Sequence, residues 1–381
     1  MDAQALIKER LELLDNALSF RYNKRTPLFA NFFTWKYLAA GYNLHDALFD
    51  YDIIEKVNRE FHEAYQFDCY MDKGTRNPMR VSDAFGAKFH YVDETGEYVI
   101  ADDRSLIEVD EYQGFVEDPT KYYWSKAFAR YCKDGLTLGE FVNGVQEFIA
   151  FGQFSAKMDD IFLNEYGTIS PTPANTFIMS PFEYLFNFLR GMRPLALDVR
   201  KHRSELKETL DGMWEMMCEP MLQTALVNEP TDAFASIGLA FLAHSILSTA
   251  QFEELYWPYV KKVIDAAIAH NRRIFVFCES EMIRLAEFFQ DVPKGLFLIH
   301  PEQDDIFEYR KVFPNITVAG GMPTHLLGRG TQKECVDYAK HLIDELGEGY
   351  VFSTDKMMSY RNDAKPENLL AVTEFVRSYQ P

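Results

Sequence analysis

From about residue 232 onward the chain alternates short apolar runs with amphipathic ones, and few architectures accept that order. DAFASIGLAF reads as a strand and QFEELYWPYVKKVIDAAIAHN as a helix. RRIFVFCE, GLFLIH, NITVAGG and YVFSTD read as further strands. Between them lie the helical EMIRLAEFFQ, DDIFEYRKVF and TQKECVDYAKHLIDELG, and KPENLLAVTEFVRSY closes the series. Strands separated by helices of this length cannot pair as hairpins, so they pair in parallel and are buried on both faces. The class is α/β.

The first half follows the same alphabet less clearly. Residues 1–19 have helical spacing, and Pro27 introduces the apolar TPLFANFF, which suits a buried first strand. Helical spacing returns over 45–66, and FDCYMD reads as a second strand. KFHYVDETGEYVIADD alternates about Glu94-Thr95-Gly96, which predicts a β-hairpin inserted at about 88–113. Residues 117–215 are aromatic and helical, interrupted by SPTPAN, and should hold helices with one short strand. No Gly/Ser/Pro linker divides the chain, so residues 1–381 are expected to form one domain.

Charge and composition exclude several partners. With 39 Lys and Arg against 58 Asp and Glu, the net charge is −19, leaving no basic excess to displace phosphate counterions. Nucleic acid is therefore not expected. No apolar run approaches the ~20 residues that span a bilayer, and the N-terminus lacks the layout of a signal peptide, so no membrane is expected. The five cysteines are scattered and form no C-x-x-C, which suits a reducing cytoplasm.

The run VAGGMPTHLLGRGTQKECVDYAKHLIDELGEGYVFSTD, followed by AKPENLLAV, resembles the end of uroporphyrinogen-decarboxylase-superfamily proteins. STAQFEELYWPYVKKVI is similar to a stretch of the anaerobic methyltransferase-like branch, and EVDEYQGFVEDP and LRGMRPLALDV add weaker matches. The resemblance implies a (β/α)8 TIM-type barrel, here with the hairpin insertion and extra N-terminal helices. Its active site would lie at the C-terminal ends of the strands. Known activities of the family are porphyrinogen decarboxylation, zinc-dependent thiol methylation and corrinoid-linked demethylation of methoxylated aromatics or methylamines.

The residues discriminate among these. A decarboxylase of the family uses an arginine-rich stretch after the first strand. NFFTWKYLAAGY offers only Lys36, and its second-strand aspartate would have to be Asp68, Asp72 or Asp83. The thiol branch binds zinc through His-x-Cys and a late cysteine, whereas this chain has Val276-Phe277-Cys278 and no cysteine in FSTDKMMS. The demethylating branch carries an F-x-E-G-like motif, which FVFCES matches in part by placing Glu279 at a strand end. The following strand ends in His300. Glu279 and His300 are the expected metal ligands, and a Glu/His site with an open position suits Zn²⁺ as a Lewis acid. His244 and Asp355 are the expected catalytic neighbours, with Glu302 and Glu281 as further candidates for a third ligand. Phe33, Trp35 and Tyr350 are candidates to wall an apolar pocket, and Arg76 and Asn77 to contact an anionic group of the substrate. Each of these has a plainer alternative as a core side chain or an ordinary surface group.

The resemblance therefore implies a methyltransferase that moves a methyl group from a small methyl donor, an aromatic methyl ether, to a separate corrinoid protein. The chain has no D-x-H-x-x-G, so cobalamin would be carried by that partner. A decarboxylase-like lyase and a non-catalytic binding barrel remain as alternatives, and the sequence leaves a homodimer open.

Overall fold

The computed structural model describes residues 2–87, 89–101, 105–174, 176–227 and 229–380. Among the described residues, eight strands besides those of the hairpin run in chain order: β1 (Phe29–Ala30), β2 (Cys69–Tyr70), β3 (Phe177–Ile178), β4 (Ile237–Phe241), β5 (Ile274–Cys278), β6 (Phe297–Pro301), β7 (Thr317–Met322) and β8 (Tyr350–Thr354). β3 to β8 form one parallel sheet in sequence order, and β1 pairs with β2, also in parallel. Three parallel bridges complete the circuit. Leu28 pairs with Phe352, joining β1 to β8. Cys69 pairs with Ile169, and Ser170 with Ala233, so the run leading into β3 links β2 to the start of β4. The result is an eight-stranded parallel barrel.

Apolar side chains sort into two main layers. Phe29, Cys69, Phe275, Phe277, Leu298, Ala319 and Val351 form a buried cluster in the lumen. Cys278, Ile299, Tyr350 and Phe352 belong to the larger cluster between strands and helices. This is the period-2 alternation of a strand buried on both sides. It fixes which residues just beyond each strand face the mouth.

The helices follow local chemistry. Thr331 and Glu334 form a capping box that starts Gln332–Leu346. The single helix expected over QFEELYWPYVKK is two, Thr249–Leu255 and Trp257–Ala269, because the chain turns at Tyr256 and Pro258 lies in the first turn of the second. EMIRLAEFFQ forms a 3₁₀ helix, Ile283–Phe289, rather than an α-helix. The inserted hairpin pairs His90–Val92 with Tyr98–Ile100, and Lys88 and 102–104 of its expected span lie outside the described residues. Among the described residues, no helix is long and apolar enough to cross a membrane.

Candidate active site at the barrel mouth

The lumen alternation carries Phe275 and Phe277 up to Glu279, Leu298 and His300 up to Glu302, Val351 and Ser353 up to Asp355, and Phe29 up to Asn31. Three carboxyl groups therefore approach one rim. Glu302 accepts a hydrogen bond from the Met357 N–H at 2.8 Å, and Asp355 accepts one from the Thr324 N–H at 3.0 Å. Burial raises all three. Glu302 is pushed up to about 7 by burial, against the Met357 bond, with the charges of Glu279 and Asp355 adding to the rise. Burial also raises Glu279 and Asp355, and the Arg76 charge holds Glu279 back.

Arg76 supplies the opposing charge. Its Nε donates to Asp72 Oδ2 at 3.1 Å and one terminal nitrogen donates to Asn31 Oδ1 at 3.4 Å. The guanidinium lies 5.7 Å from the Phe33 ring centroid and 5.5 Å from that of Phe277. Phe33 in turn packs edge-on against Tyr98 of the hairpin at 5.0 Å. Asn77 Nδ2 bonds the Tyr98 hydroxyl, so Asn77 holds the hairpin rather than pointing a free amide at the mouth. Deeper in, Lys36 is buried and donates to Asn58 Oδ1 at 2.8 Å and the Asp72 carbonyl at 2.9 Å, and burial lowers it to about 7.

His300 sits in the lumen, with its ring 5.9 Å from Phe29 and 6.4 Å from Phe277. Its Nε2 lies 2.9 Å from the Thr354 carbonyl, which requires the proton on that nitrogen and leaves Nδ1 as a bare acceptor. Burial lowers it to about 4, so the imidazole is neutral. Among the described residues, three polar groups of this upper lumen have no hydrogen-bond partner: Asn31 Nδ2, His300 Nδ1 and Ser353 Oγ. Each such atom costs about 1–3 kcal/mol unless something meets it.

The expected pieces are thus only partly brought together. Glu279, His300, Asp355, Arg76 and Phe33 share the mouth and upper lumen. His244 does not join them: it is buried behind the wall among Phe241 and Tyr256, 4.0 Å from the outward-facing Cys278 sulfur. Tyr350 lies at the other end of β8 and bonds the Gly320 carbonyl, facing the helices. Trp35 packs against Phe32, Phe61 and Tyr65 and donates to the Ala364 carbonyl. All three are core side chains, because their positions fall on the outward or helical side of the alternation. Asp68 is at the opposite, N-terminal end of β2, and Asp83 is exposed on the helix Met79–Phe85. Glu302 is more central than its place among several third-ligand candidates suggested. The signal for it was its spacing, two residues beyond His300 on the lumen side.

A zinc ion at Glu279 and His300 would need a third protein ligand. Among the described residues, no group of three His, Cys, Asp or Glu side chains is disposed to hold a metal ion. His300 Nε2 is taken by a carbonyl, Glu302 and Asp355 are bonded to backbone amides, and the cation facing Glu279 is Arg76. The donor set does not fit the ion.

Comparison with known proteins agrees with this architecture. No curated protein matches the chain by sequence. Among solved structures, a methyltransferase from Methanosarcina mazei superposes with a TM-score of 0.60 over 98% of this chain and 98% of that one, at 11% identity. At that identity the likeness speaks for the barrel alone. Residues 168–379 match the model of the uroporphyrinogen decarboxylase (URO-D) family, more than half of the chain. The chain belongs to the uroporphyrinogen decarboxylase family.

Proposed function

We propose that this protein is a methyltransferase that binds a small methyl donor, an aromatic methyl ether, at the barrel mouth and passes its methyl group to a separate corrinoid protein. The observation that carries the reading is the carboxyl pair on neighbouring strands, with Glu302 raised to about 7. Such a group holds a proton near neutrality and still gives it up readily, as a general acid should. When the methyl–oxygen bond breaks, the oxygen leaves with the electron pair and takes the Glu302 proton. Met357 N–H and Arg76 then stabilise the new carboxylate, which is reprotonated from solvent at the mouth. The corrinoid of the partner supplies the nucleophile that accepts the methyl group.

The unpartnered Asn31, His300 and Ser353 groups would meet other polar substituents of the donor. The test is methyl transfer from a panel of methoxylated aromatics to a reduced corrinoid protein. Formation of the demethylated phenol only when the corrinoid protein is present is the expected result. Release of CO₂ from a carboxylated substrate without any corrinoid would instead make the protein a lyase and end this reading.

The acid role sets a pH dependence. Because Glu302 must be protonated to act, kcat is expected to fall as pH rises through about 7. The Arg76 charge lowers Glu302 and Glu279, so Arg76→Ala should move that falling limb to higher pH. A pH–rate profile at saturating acceptor checks both, and an unmoved limb in the variant would separate Arg76 from the acid.

A further inference from the structure

A cavity of about 500 Å³ lies apart from the carboxyl rim, between the helix Met192–Lys201 and the chain that returns from the hairpin. None of Glu279, Glu302 and Asp355 lines it. Its floor is built around one buried guanidinium. Arg190 donates to Asp198 Oδ2 at 2.7 Å and Oδ1 at 3.3 Å, and to Glu108 Oε2 at 2.7 Å. It also donates to Ser105 Oγ at 3.0 Å and to the Ile107 carbonyl at 3.1 Å. These bonds tie the segment 105–108 to the helix, so the cavity is shaped before anything enters it. The helix packs on the turn Ala243–Ile246 beyond β4, which puts the cavity at the mouth end of the barrel.

The same bonds set its charge. Glu108 and Asp198 are the two carboxylates of the lining, and both are taken up by Arg190. Arg193 and Lys201 also line the cavity, are exposed, and among the described residues have no ion-pair partner. With His202 neutral, three cations against two carboxylates leave one positive charge, in a chain whose net charge is −19. Arg193, Leu197 and Lys201 are spaced by four, so they share one side of the helix with the apolar residue between the cations. Val109 and Pro194 extend that apolar wall.

We propose that this cavity binds a small organic carboxylate with an apolar body. The volume falls within the roughly 300–1,000 Å³ of small-molecule sites. Arg193 can grip a carboxylate through two parallel N–H bonds, and Lys201 adds a point charge. Val109, Pro194 and Leu197 cover the body. One surplus positive charge matches a singly charged ligand. A doubly charged phosphate would keep an uncompensated charge close to Glu108 and Asp198. Nothing in this site depends on the reaction at the mouth.

The experiment is a titration of the full chain with benzoate, followed by ligand-observed NMR. Saturable binding is expected with a dissociation constant on the order of 1 mM, as suits so small a probe. Arg193→Ala and Lys201→Ala should each weaken it by on the order of 10-fold, with unchanged circular dichroism because both side chains are exposed. Arg76→Ala should leave it unchanged, which separates this site from the mouth. Benzamide, of the same shape without the charge, and inorganic phosphate, charged without the apolar body, should both bind at least tenfold more weakly. Absence of saturable benzoate binding overturns the proposal, as does binding that neither Arg193→Ala nor Lys201→Ala weakens. Phosphate or benzamide binding as tightly as benzoate overturns the ligand class.

Discussion

Glu302→Gln is expected to lower kcat for demethylation by on the order of 10²- to 10⁴-fold while leaving the fold intact. Glutamine keeps the side chain's shape and can still accept the Met357 N–H through its amide oxygen, so the strand-end loop should not move. What it cannot do is release a proton to a departing oxygen. The falling limb near pH 7 should vanish with it. Glu279→Gln is the informative companion: removing that neighbouring charge should lower Glu302 and shift the limb to lower pH without abolishing turnover. A Glu302→Gln enzyme within tenfold of wild type at every pH would remove the general acid from the mechanism. The proton would then have to come from elsewhere in the mouth.

The largest effect on stability is expected at the other end of the barrel. Asp68 is buried and receives two hydrogen bonds from Arg25, at 2.7 and 2.8 Å, and one from the Leu28 N–H at 2.9 Å. Arg10 of the first helix lies 3.4 Å from it. One carboxylate thus ties that helix, the chain before β1 and the start of β2. Burial alone would raise its pKa, but the Arg25 bonds and the charges of Arg25 and Arg10 overcome this and lower it. Asp68→Ala would leave two guanidinium groups facing each other with little solvent, a change of about 3–5 kcal/mol. Urea unfolding would read it as a lower midpoint with an unchanged slope. The lowered pKa also gives the sign of the acid response: this contribution is present above the carboxyl's unfolded pKa and is lost as pH falls through the folded one. A variant within 1 kcal/mol of wild type would show that the cluster merely breaks even against its desolvation.

The C-terminal half was legible because β4 to β8 are buried on both faces and separated by helices with ordinary caps. The runs IGLAF, IFVFC and FLIHP mark themselves, and the motifs after residue 300 are dense. The stretch from 117 to 215 was illegible for a physical reason. Its helices include π-helical runs at Tyr123–Ala127, Ile161–Glu165, Leu185–Leu189 and Trp214–Cys218, which break the 3.6-residue period that pattern reading depends on.

At the mouth, Glu279 could be read from its motif, and Arg76 and Phe33 from their place after strands. His244 misled because it follows an apolar strand, while the turn Ala243–Ile246 carries it out of line with the lumen. Glu183 had no signal in the sequence. It is buried 59 residues before the turn it stabilises, where it accepts from the Leu242 and Ala243 N–H groups and the Tyr256 hydroxyl.

The bridge between Leu28 and Phe352 has a consequence for how the molecule is made. The strands from Ile237 to Thr354 lie next to one another in both sequence and space, so each can add to the last as the chain lengthens. The first strand is different: its neighbour on one side lies 324 residues away. During synthesis its edge stays unsealed until Phe352 has been made, and a nascent chain must shield that edge by other means or meet a chaperone.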